Sequence, residues 1–387
     1  MSKWEWKKLG DLYPIVMGKT PPRGDPSCWD KSKRTNNVWV TIADISSNEN
    51  QVITESKEYI SDKATKNISL VSPKSLLLSF KLSIGKMAFA GVPLYTNEAI
   101  VNFPPIKDID LHYLHKYFLY YNWDKASEGD TKVKGKTLNK EKLKNIDIPI
   151  PPLSEQKRIV KFLDEEFSKI DTLKTNAETN LKNAKELFET TLEKELNPPS
   201  RHSERSEESS ADLPSGWEWK KLGEVCEIIC GQDYKNVECE SGAYPVYGSG
   251  GVIGYAREFR CPANCTIVGR KGSINNPMYV EEPFWNIDTA FGLSAKECME
   301  SKYLFYFCKC FDFTTLDKSS GRPSLARKDL LEIQIPLPPL SVQKEIVARL
   351  DKLSENVKRL EANYKQIIAN CDELKKSILK KTFEEKT

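Results

Sequence analysis

The sequence predicts an α+β chain with an internal pseudo-two-fold repeat: two similar domains with small mixed or antiparallel sheets, and two long α-helices. Three observations predict it. The motif P-P-L-S-x-Q-K-x-I-V-x-x-L-D stands at Pro151 to Asp164 and again at Pro338 to Asp351, an offset of 187. The motif W-E-W-K-K-L-G stands at Trp4 to Gly10 and again at Trp217 to Gly223, an offset of 213. The two offsets differ by 26 residues, so the second copy is shorter between matching ends. A frame kept while its contents change marks a duplication whose ends are scaffold and whose middles have diverged.

The third observation is a seam. Counted from Ile346, apolar residues recur at alternating spacings of four and three: Leu350, Leu353, Val357, Leu360, Tyr364, Ile367, Cys371, Leu374 and Ile378. On a straight helix of 3.6 residues per turn such a stripe would drift, so its length predicts a coiled coil and requires a partner. The earlier helix offers Leu163, Ile170, Ala177 and Ala184 at a period of seven, beside Phe167, Leu181 and Phe188, with Lys174 interrupting. The expected pairing residues are Leu163, Ile170, Leu350, Leu353, Val357, Leu360, Ile367 and Leu374.

Each helix follows a proline-rich exit, I-P-I-P-P-L at Ile148 to Leu153 and I-P-L-P-P-L at Ile335 to Leu340. Proline fixes φ and lacks an N–H, so these segments are stiff and extended. Ser154 and Ser341 then stand where helix N-caps are expected. The division follows: a first domain over 1–153, a long helix over 154–196, a polar linker over 197–216, a second domain over 217–340 and a second long helix over 341–387. The 43 residues of 154–196 would extend about 65 Å at about 1.5 Å per residue.

Within the first domain Val38 to Ile42 and Ser75 to Phe80 read as strands, Gly18 to Pro22 and Gly91 to Pro93 as turns, and Leu111 to Tyr121 as an aromatic helix. In the second, Gly242 to Gly251 reads as turn-rich, Cys265 to Gly269 as a strand and Ser301 to Cys310 as the matching helix.

Composition narrows the function. Charged residues make up 29% and hydrophobic ones 39%, no run of 18 apolar residues occurs, and the first residues form no apolar signal core, so a cytoplasmic protein without a membrane segment is expected. Nine of the ten cysteines fall after residue 225, none as C-x-x-C, which points to free thiols and no structural zinc. The net charge of +3 divides unevenly: residues 1–153 hold 23 basic and 17 acidic side chains, whereas 217–340 hold 14 and 16. Affinity for a polyanion must therefore arise from local patches.

Cations cluster where turns are expected. Lys81 and Lys86 flank Ser83-Ile84-Gly85, and Lys132, Lys134, Lys136 and Lys140 precede the first proline exit. Arg270 and Lys271 stand in Gly269-Arg270-Lys271-Gly272-Ser273, with Lys318, Arg322, Arg327 and Lys328 before the second exit. Lys136, Lys140, Arg322 and Arg327 approach the same exit in both copies, so these are the expected phosphate and base contacts, with Tyr247 as an aromatic candidate and Tyr255 and Trp285 as alternatives. Any one of these lysines also reads as ordinary solvated surface, and any one aromatic as core.

No catalytic set is legible. Asn197-Pro198-Pro199-Ser200 has Ser where an amino-methyltransferase motif needs an aromatic, and no phosphate loop of the G-x-x-x-x-G-K-[ST] type exists. His112, His115 and His202 do not assemble a site; His112 and His115 lie three apart without a further ligand, and surface histidine is the expectation.

The paired P-x-P-P-L-S-x-Q-K-x-I-V-x-x-L-D blocks, the repeated W-x-x-K-K-L-G openings and the variable middles resemble the specificity subunit of type I restriction-modification systems. Gly18 to Pro22, Trp39 to Ile45, Tyr244 to Gly248 and Gly321 to Leu325 are also typical of that family. The resemblance covers essentially the whole chain. It implies two target recognition domains, each reading one half of a bipartite asymmetric site in double-stranded DNA. It implies that the helices pair antiparallel as a spacer and dock two methyltransferase subunits, to which restriction and translocase subunits can add. It implies a non-catalytic subunit with no cofactor of its own. The competing expectations are a specificity partner of another restriction-methylation type, and a coiled-coil adaptor whose domains bind proteins.

Overall fold

The computed structural model describes residues 4–127, 131–132, 135–136, 138–196, 213–240, 244–319 and 321–384. The chain forms two compact units, Met1–Asn176 with Ile367–Thr387, and Ala177–Gln366, so the division falls inside both long helices.

In the first unit strand β1 (Glu5–Lys8) pairs antiparallel with the proline exit, placing Trp6 opposite Pro149. In the second unit Glu218–Lys221 pairs with Gln334–Leu337 in the same way, with Trp219 opposite Pro336. The repeated opening and closing motifs are thus hydrogen-bonded to each other, and prolines are tolerated because a two-stranded ribbon leaves their unpaired edge outward. Leu9 N–H donates to the Ile146 carbonyl and Leu222 N–H to the Ile333 carbonyl, each at 2.8 Å, which closes both frames alike.

Inside the first frame lie β2 (Val38–Val40), β3 (Val52–Ile53), β4 (Glu58–Tyr59), β5 (Leu76–Ser79), β6 (Met87–Ala90), β7 (Leu94–Thr96) and β8 (Ile100–Phe103). They form a four-stranded sheet of order β3-β6-β5-β8 and a three-stranded sheet of order β4-β2-β7, each with one parallel pair. A hairpin, β9 (Thr131–Lys132) with β10 (Gly135–Lys136), precedes the exit strand β11 (Asp147–Ile150). The second frame, opened by β12 (Glu218–Lys221), holds β13 (Cys226–Cys230), β14 (Tyr244–Gly248), β15 (Gly251–Ala256), β16 (Cys265–Gly269), β17 (Met278–Val280), β18 (Trp285–Asn286) and β19 (Ala290–Ala295), and is closed by β20 (Gln334–Leu337). Its sheets have orders β13-β19-β16-β17 and β15-β14-β18, with β14 and β18 parallel.

Local chemistry revises some expectations. The strand expected over Val38 to Ile42 stops at Val40, because Thr41 and Asp44 form a reciprocal capping box that starts the helix Ile42–Ser47. The turn-rich reading of Gly242 to Gly251 gives way to the hairpin of β14 and β15. The long helices span Leu153–Leu196 and Leu340–Glu384, one residue earlier than expected, so Ser154 and Ser341 lie inside the first turn. There Glu155 and Gln156 donate to the Pro152 carbonyl, which does the work assigned to a serine cap.

The repeated motif acquires a reason. Gln156 and Gln343 are fully buried. Gln156 accepts from Asp110 N–H at 2.9 Å and donates to the carbonyls of Asp108 and Pro151. Gln343 accepts from Glu300 N–H at 2.7 Å and donates to those of Cys298 and Pro338. The hydroxyls of Tyr113 and Tyr303 add bonds to the carbonyls of Pro149 and Pro336, both at 2.7 Å. These contacts lock the aromatic helices Leu111–Tyr120 and Ser301–Cys310 to the helix starts.

The long helices pair antiparallel within each unit. In the first, Lys375 reaches Asp171 at 2.5 Å and Lys174 reaches Asp372 at 2.8 Å, one number falling as the other rises. In the second, Arg349 grips Glu195 with two bonds of 3.1 and 2.6 Å, beside Leu192 and Leu196 packed near Ile346 and Leu350. Leu163, Ile170, Leu350 and Val357 are buried, and Leu353 and Ile367 half-buried. Leu360 and Leu374, expected in the seam, are 39% and 47% exposed. The reason is a seam rotated toward one side: the row Leu350, Val357, Tyr364, Cys371 is flanked four residues on by Ser354, Glu361, Ile368 and Lys375, all half-buried, whereas of the residues three on only Leu353 and Ile367 are.

Candidate nucleic-acid interface

Three segments converge at the same place in each module. In module one these are the loop after β5, the β7–β8 turn and the approach to the helix Lys140–Lys144. Phe80 N–H donates to the Ala99 carbonyl at 3.0 Å, and Leu138 N–H to the Phe80 carbonyl at 2.9 Å. In module two Arg270 N–H donates to the Thr289 carbonyl and Leu325 N–H to the Arg270 carbonyl, each at 2.8 Å. This makes Lys81 the counterpart of Lys271, and Glu98 the counterpart of Asp288.

The counterparts share an electrostatic plan. Lys81 Nζ donates to the Glu98 carbonyl at 3.0 Å and lies over the Phe80 ring. The Glu98 carboxylate accepts from the Thr20 hydroxyl, which holds it below its usual range. Lys271 faces the Asp288 carboxylate at 3.6 Å, and Arg270 donates to the Asp288 carbonyl at 3.3 Å. Each turn thus holds a lysine at the surface, Lys81 by the Glu98 main-chain carbonyl and Lys271 by the Asp288 carboxylate, as phosphate-positioning cations need.

Glycines let the neighbouring backbone approach. A Cβ at Gly18 or Gly231 would overlap the carbonyl of Thr96 or Ile287, and the next residues, Lys19 and Gln232, donate N–H bonds of 2.8 and 2.9 Å to the carbonyls of Thr96 and Asn286. Gly18 and Gly231 are related by the same offset of 213 as the opening motifs. Gly272, at φ +83°, lies under the Arg322 guanidinium, where a Cβ would come within 2.8 Å. Gly272 N–H also donates to the Pro323 carbonyl at 2.9 Å. Asp317 ties the Arg322 loop together by accepting from Ser319 and Ser324, and the Ser319 hydroxyl is the chief cause of its lowered pKa.

The structure therefore gathers Arg270, Lys271 and Arg322, and places Lys81 equivalently. Arg327 and Lys328 are exposed at the start of the helix Arg327–Leu331, and Arg327 Nε donates to the Ile228 carbonyl at 3.3 Å. Lys140 is exposed at the start of its helix, capped by Asn139. Lys86 pairs with Glu49. Lys134 lies outside the described residues, as do Asn197 to Ser200, and Lys136 is placed only as a strand residue of β10. Tyr247 is half-buried edge-on to Phe284 and lines a cavity of about 910 Å³ with Glu281, Glu282, Lys302, Lys309 and Lys358, rather than with Arg270, Lys271 and Arg322. Trp285 is buried and donates to the Gln232 carbonyl at 2.9 Å, whereas Tyr255 is exposed.

Sequence reasoning missed Arg23, whose guanidinium stacks 4.2 and 4.8 Å over Trp29 and Trp39 and pairs with Glu58 beside a hollow of about 260 Å³. It also missed Glu98 and Asp288, which no local pattern marks. Surface histidine is corrected for His115, which is buried with Nε2 2.7 Å from the Asn50 side-chain oxygen; burial pushes its pKa down to about 3. Among the described residues, no three His, Cys, Asp or Glu side chains are grouped to hold a metal, all ten cysteines are free, and no helix is long and apolar enough to cross a membrane.

Comparison with known proteins adds the following. The model of the type I restriction modification DNA specificity domain matches residues 1–183 and 214–369. The chain is 30% identical over 241 residues to the type I restriction enzyme MjaIX specificity subunit of Methanocaldococcus jannaschii, covering 59% of this chain and 53% of that one. It is 23% identical over 364 residues to the Escherichia coli type I restriction enzyme EcoprrI specificity subunit, covering 90% and 87%. The chain thus spans about half of the first relative and most of the second. A solved structure described as showing complex assembly and conformational transition of the type I R-M system superposes with a TM-score of 0.80 at 21% identity, over 99% of this chain and 98% of that one. The HsdS subunit from Thermoanaerobacter tengcongensis superposes at 0.63 with 19% identity, over 100% and 98%.

Proposed function

This chain belongs to the family of type I restriction-modification DNA specificity subunits, and from that premise we propose that its two modules, residues 1–153 and 217–340, each read one half of a bipartite asymmetric site in double-stranded DNA. Lys81, Lys86, Lys134, Lys136 and Lys140 in one module, and Arg270, Lys271, Arg322, Arg327 and Lys328 in the other, position the modules on phosphates while neighbouring loop residues address base edges. The chain carries no chemistry of its own. Two methyltransferase subunits supply cofactor and active site, methylate adenine, and connect the assembly to restriction and translocase subunits.

The observation that carries this reading is the loop cluster repeated around Lys81 and Lys271 with unlike neighbours. One architecture with two sets of contacts suits two different short sequences. The paired helices set the number of unread base pairs, because a helix has a fixed rise where a flexible linker has none. Leu173, Leu187, Leu360 and Leu374, exposed on these helices, support their use as docking surface for the methyltransferase subunits.

The test is a domain exchange read by methylome sequencing. Replacing residues 11–135 with another family member's equivalent should change one half-site and leave the other and the gap intact. A change in both halves, or no methylated motif from the parent, refutes the proposal. The adaptor reading survives on one observation, the excess of acidic over basic residues in 217–340. It predicts that the assembled complex shows no dependence of DNA binding on log salt, whereas phosphate contacts impose one.

A further inference from the structure

The two reading loops are counterparts down to single residues, and one position differs in kind. Because Leu138 binds the Phe80 carbonyl as Leu325 binds that of Arg270, Lys81-Leu82-Ser83-Ile84 corresponds to Lys271-Gly272-Ser273-Ile274. Both second residues have left-handed backbone, φ 64° at Leu82 and φ 83° at Gly272. Glycine adopts that region freely and leucine does so at a cost, so an outlier here calls for a functional reason.

Leu82 does not use its strained backbone to reach the core, since its residue is 54% exposed. The tip is pinned on both sides of it. The Ser79 hydroxyl donates to the Ser83 carbonyl, Gly85 N–H donates to the Ser79 carbonyl at 2.9 Å, and Ile84 packs against the core. Gly85, at φ +86°, lies so close to the Trp123 indole that a Cβ would come within 2.6 Å of it. Lys81 is folded back on Glu98 and Phe80. What remains at the tip is one apolar side chain, at the place where module two has a bare glycine beneath the Arg322 guanidinium.

We propose that Leu82 reads the C5 methyl of a thymine in the major groove of the half-site bound by module one, a contact that Gly272 denies to module two. The inference rests on the DNA-specificity reading and assigns it a residue. On base-pair edges in the major groove the thymine methyl is the apolar group, and an aliphatic side chain is its natural complement. A wedge that unstacks a base step must hold the duplex kinked. Leu82 is a single aliphatic side chain held at an exposed tip beside Lys81, which suits a methyl contact instead.

The experiment uses the full chain assembled with its methyltransferase subunits, on duplexes carrying the methylated site. Each thymine of the module-one half-site, assigned by the domain exchange, is replaced in turn by uracil, which pairs identically but lacks the methyl. One uracil should weaken wild-type binding about fourfold, the worth of one buried methyl-sized group. Leu82→Gly, which suits the left-handed backbone and should fold at least as stably, should be indifferent to that uracil. Uracil in the other half-site should affect neither protein. Wild-type binding indifferent to every uracil, or the same loss in Leu82→Gly, overturns the proposal. So does 2-aminopurine that brightens on wild-type binding and not with the variant, the signature of a wedge. A wild-type complex without salt-dependent binding to the site removes the specificity reading itself, whereas normal binding and methylation with uracil indifference removes the methyl contact alone.

Discussion

Replacing Gln343 by leucine tests whether the repeated motif is a structural clamp. Gln343 is fully buried and satisfies one backbone donor, Glu300 N–H at 2.7 Å, and two acceptors, the carbonyls of Cys298 and Pro338 at 3.0 and 2.8 Å. Leucine has similar volume and no polar atom, so all three groups lose their partner in a site closed to water. Each buried orphan costs about 1–3 kcal/mol, and relaxation of one carbonyl leaves a net loss of about 4 kcal/mol. For a unit of this size that lowers Tm by about 8–16 °C. Gln156→Leu should do the same to the first unit, because Asp110 N–H, Asp108 and Pro151 are its equivalent partners. Calorimetry of the full chain, with methylome readout of each half-site, would show one unit's transition falling and the other's unmoved. A loss under about 1 kcal/mol in either variant would refute the clamp, since unsatisfied buried backbone cannot be so cheap.

Four further outcomes are expected. Val357→Asp, in the buried row, should lower stability by several kcal/mol and impair assembly measured by size-exclusion chromatography, whereas Leu360→Asp should leave helix pairing within about 0.5 kcal/mol of wild type. Arg322→Ala and Lys271→Ala should each weaken DNA binding across sequences and reduce the slope of log affinity against log salt by about one. Inserting seven residues at matching levels of both long helices should lengthen the unread gap by about three base pairs, from about 1.5 Å per helical residue and about 3.4 Å per base pair, as read by methylome sequencing. His115 gives a pH dependence: burial depresses its pKa from the usual value of about 6.5 to about 3, so the unfolded chain takes up the proton first as pH falls. Stability of the first unit is therefore full above about pH 6.5 and declines toward pH 3 by at most about 1.4 kcal/mol per pH unit, and His115→Gln should flatten that decline in denaturant titrations.

What the sequence determined by itself was whatever repeats or has a local period. The duplicated ends, both long helices to within a few residues, the helix Ser301–Cys310 and the loops carrying Lys81 and Lys271 follow from motif spacing, proline placement and apolar periodicity, which act over a few residues. The face of a helix that is buried does not follow, because the row three residues on from Leu350 (Leu353, Leu360, Ile367, Leu374) is wholly apolar in the chain, yet the mostly polar row four residues on (Ser354, Glu361, Ile368, Lys375) is the one half-buried throughout. Leu360 and Leu374 point outward for that reason. The same holds for Glu98 and Asp288, distant in sequence from the lysines they orient, for the burial of His115 against Asn50, and for the left-handed turn that makes Leu82 the counterpart of a glycine. These are long-range contacts, and only the closed fold brings their members within bonding distance.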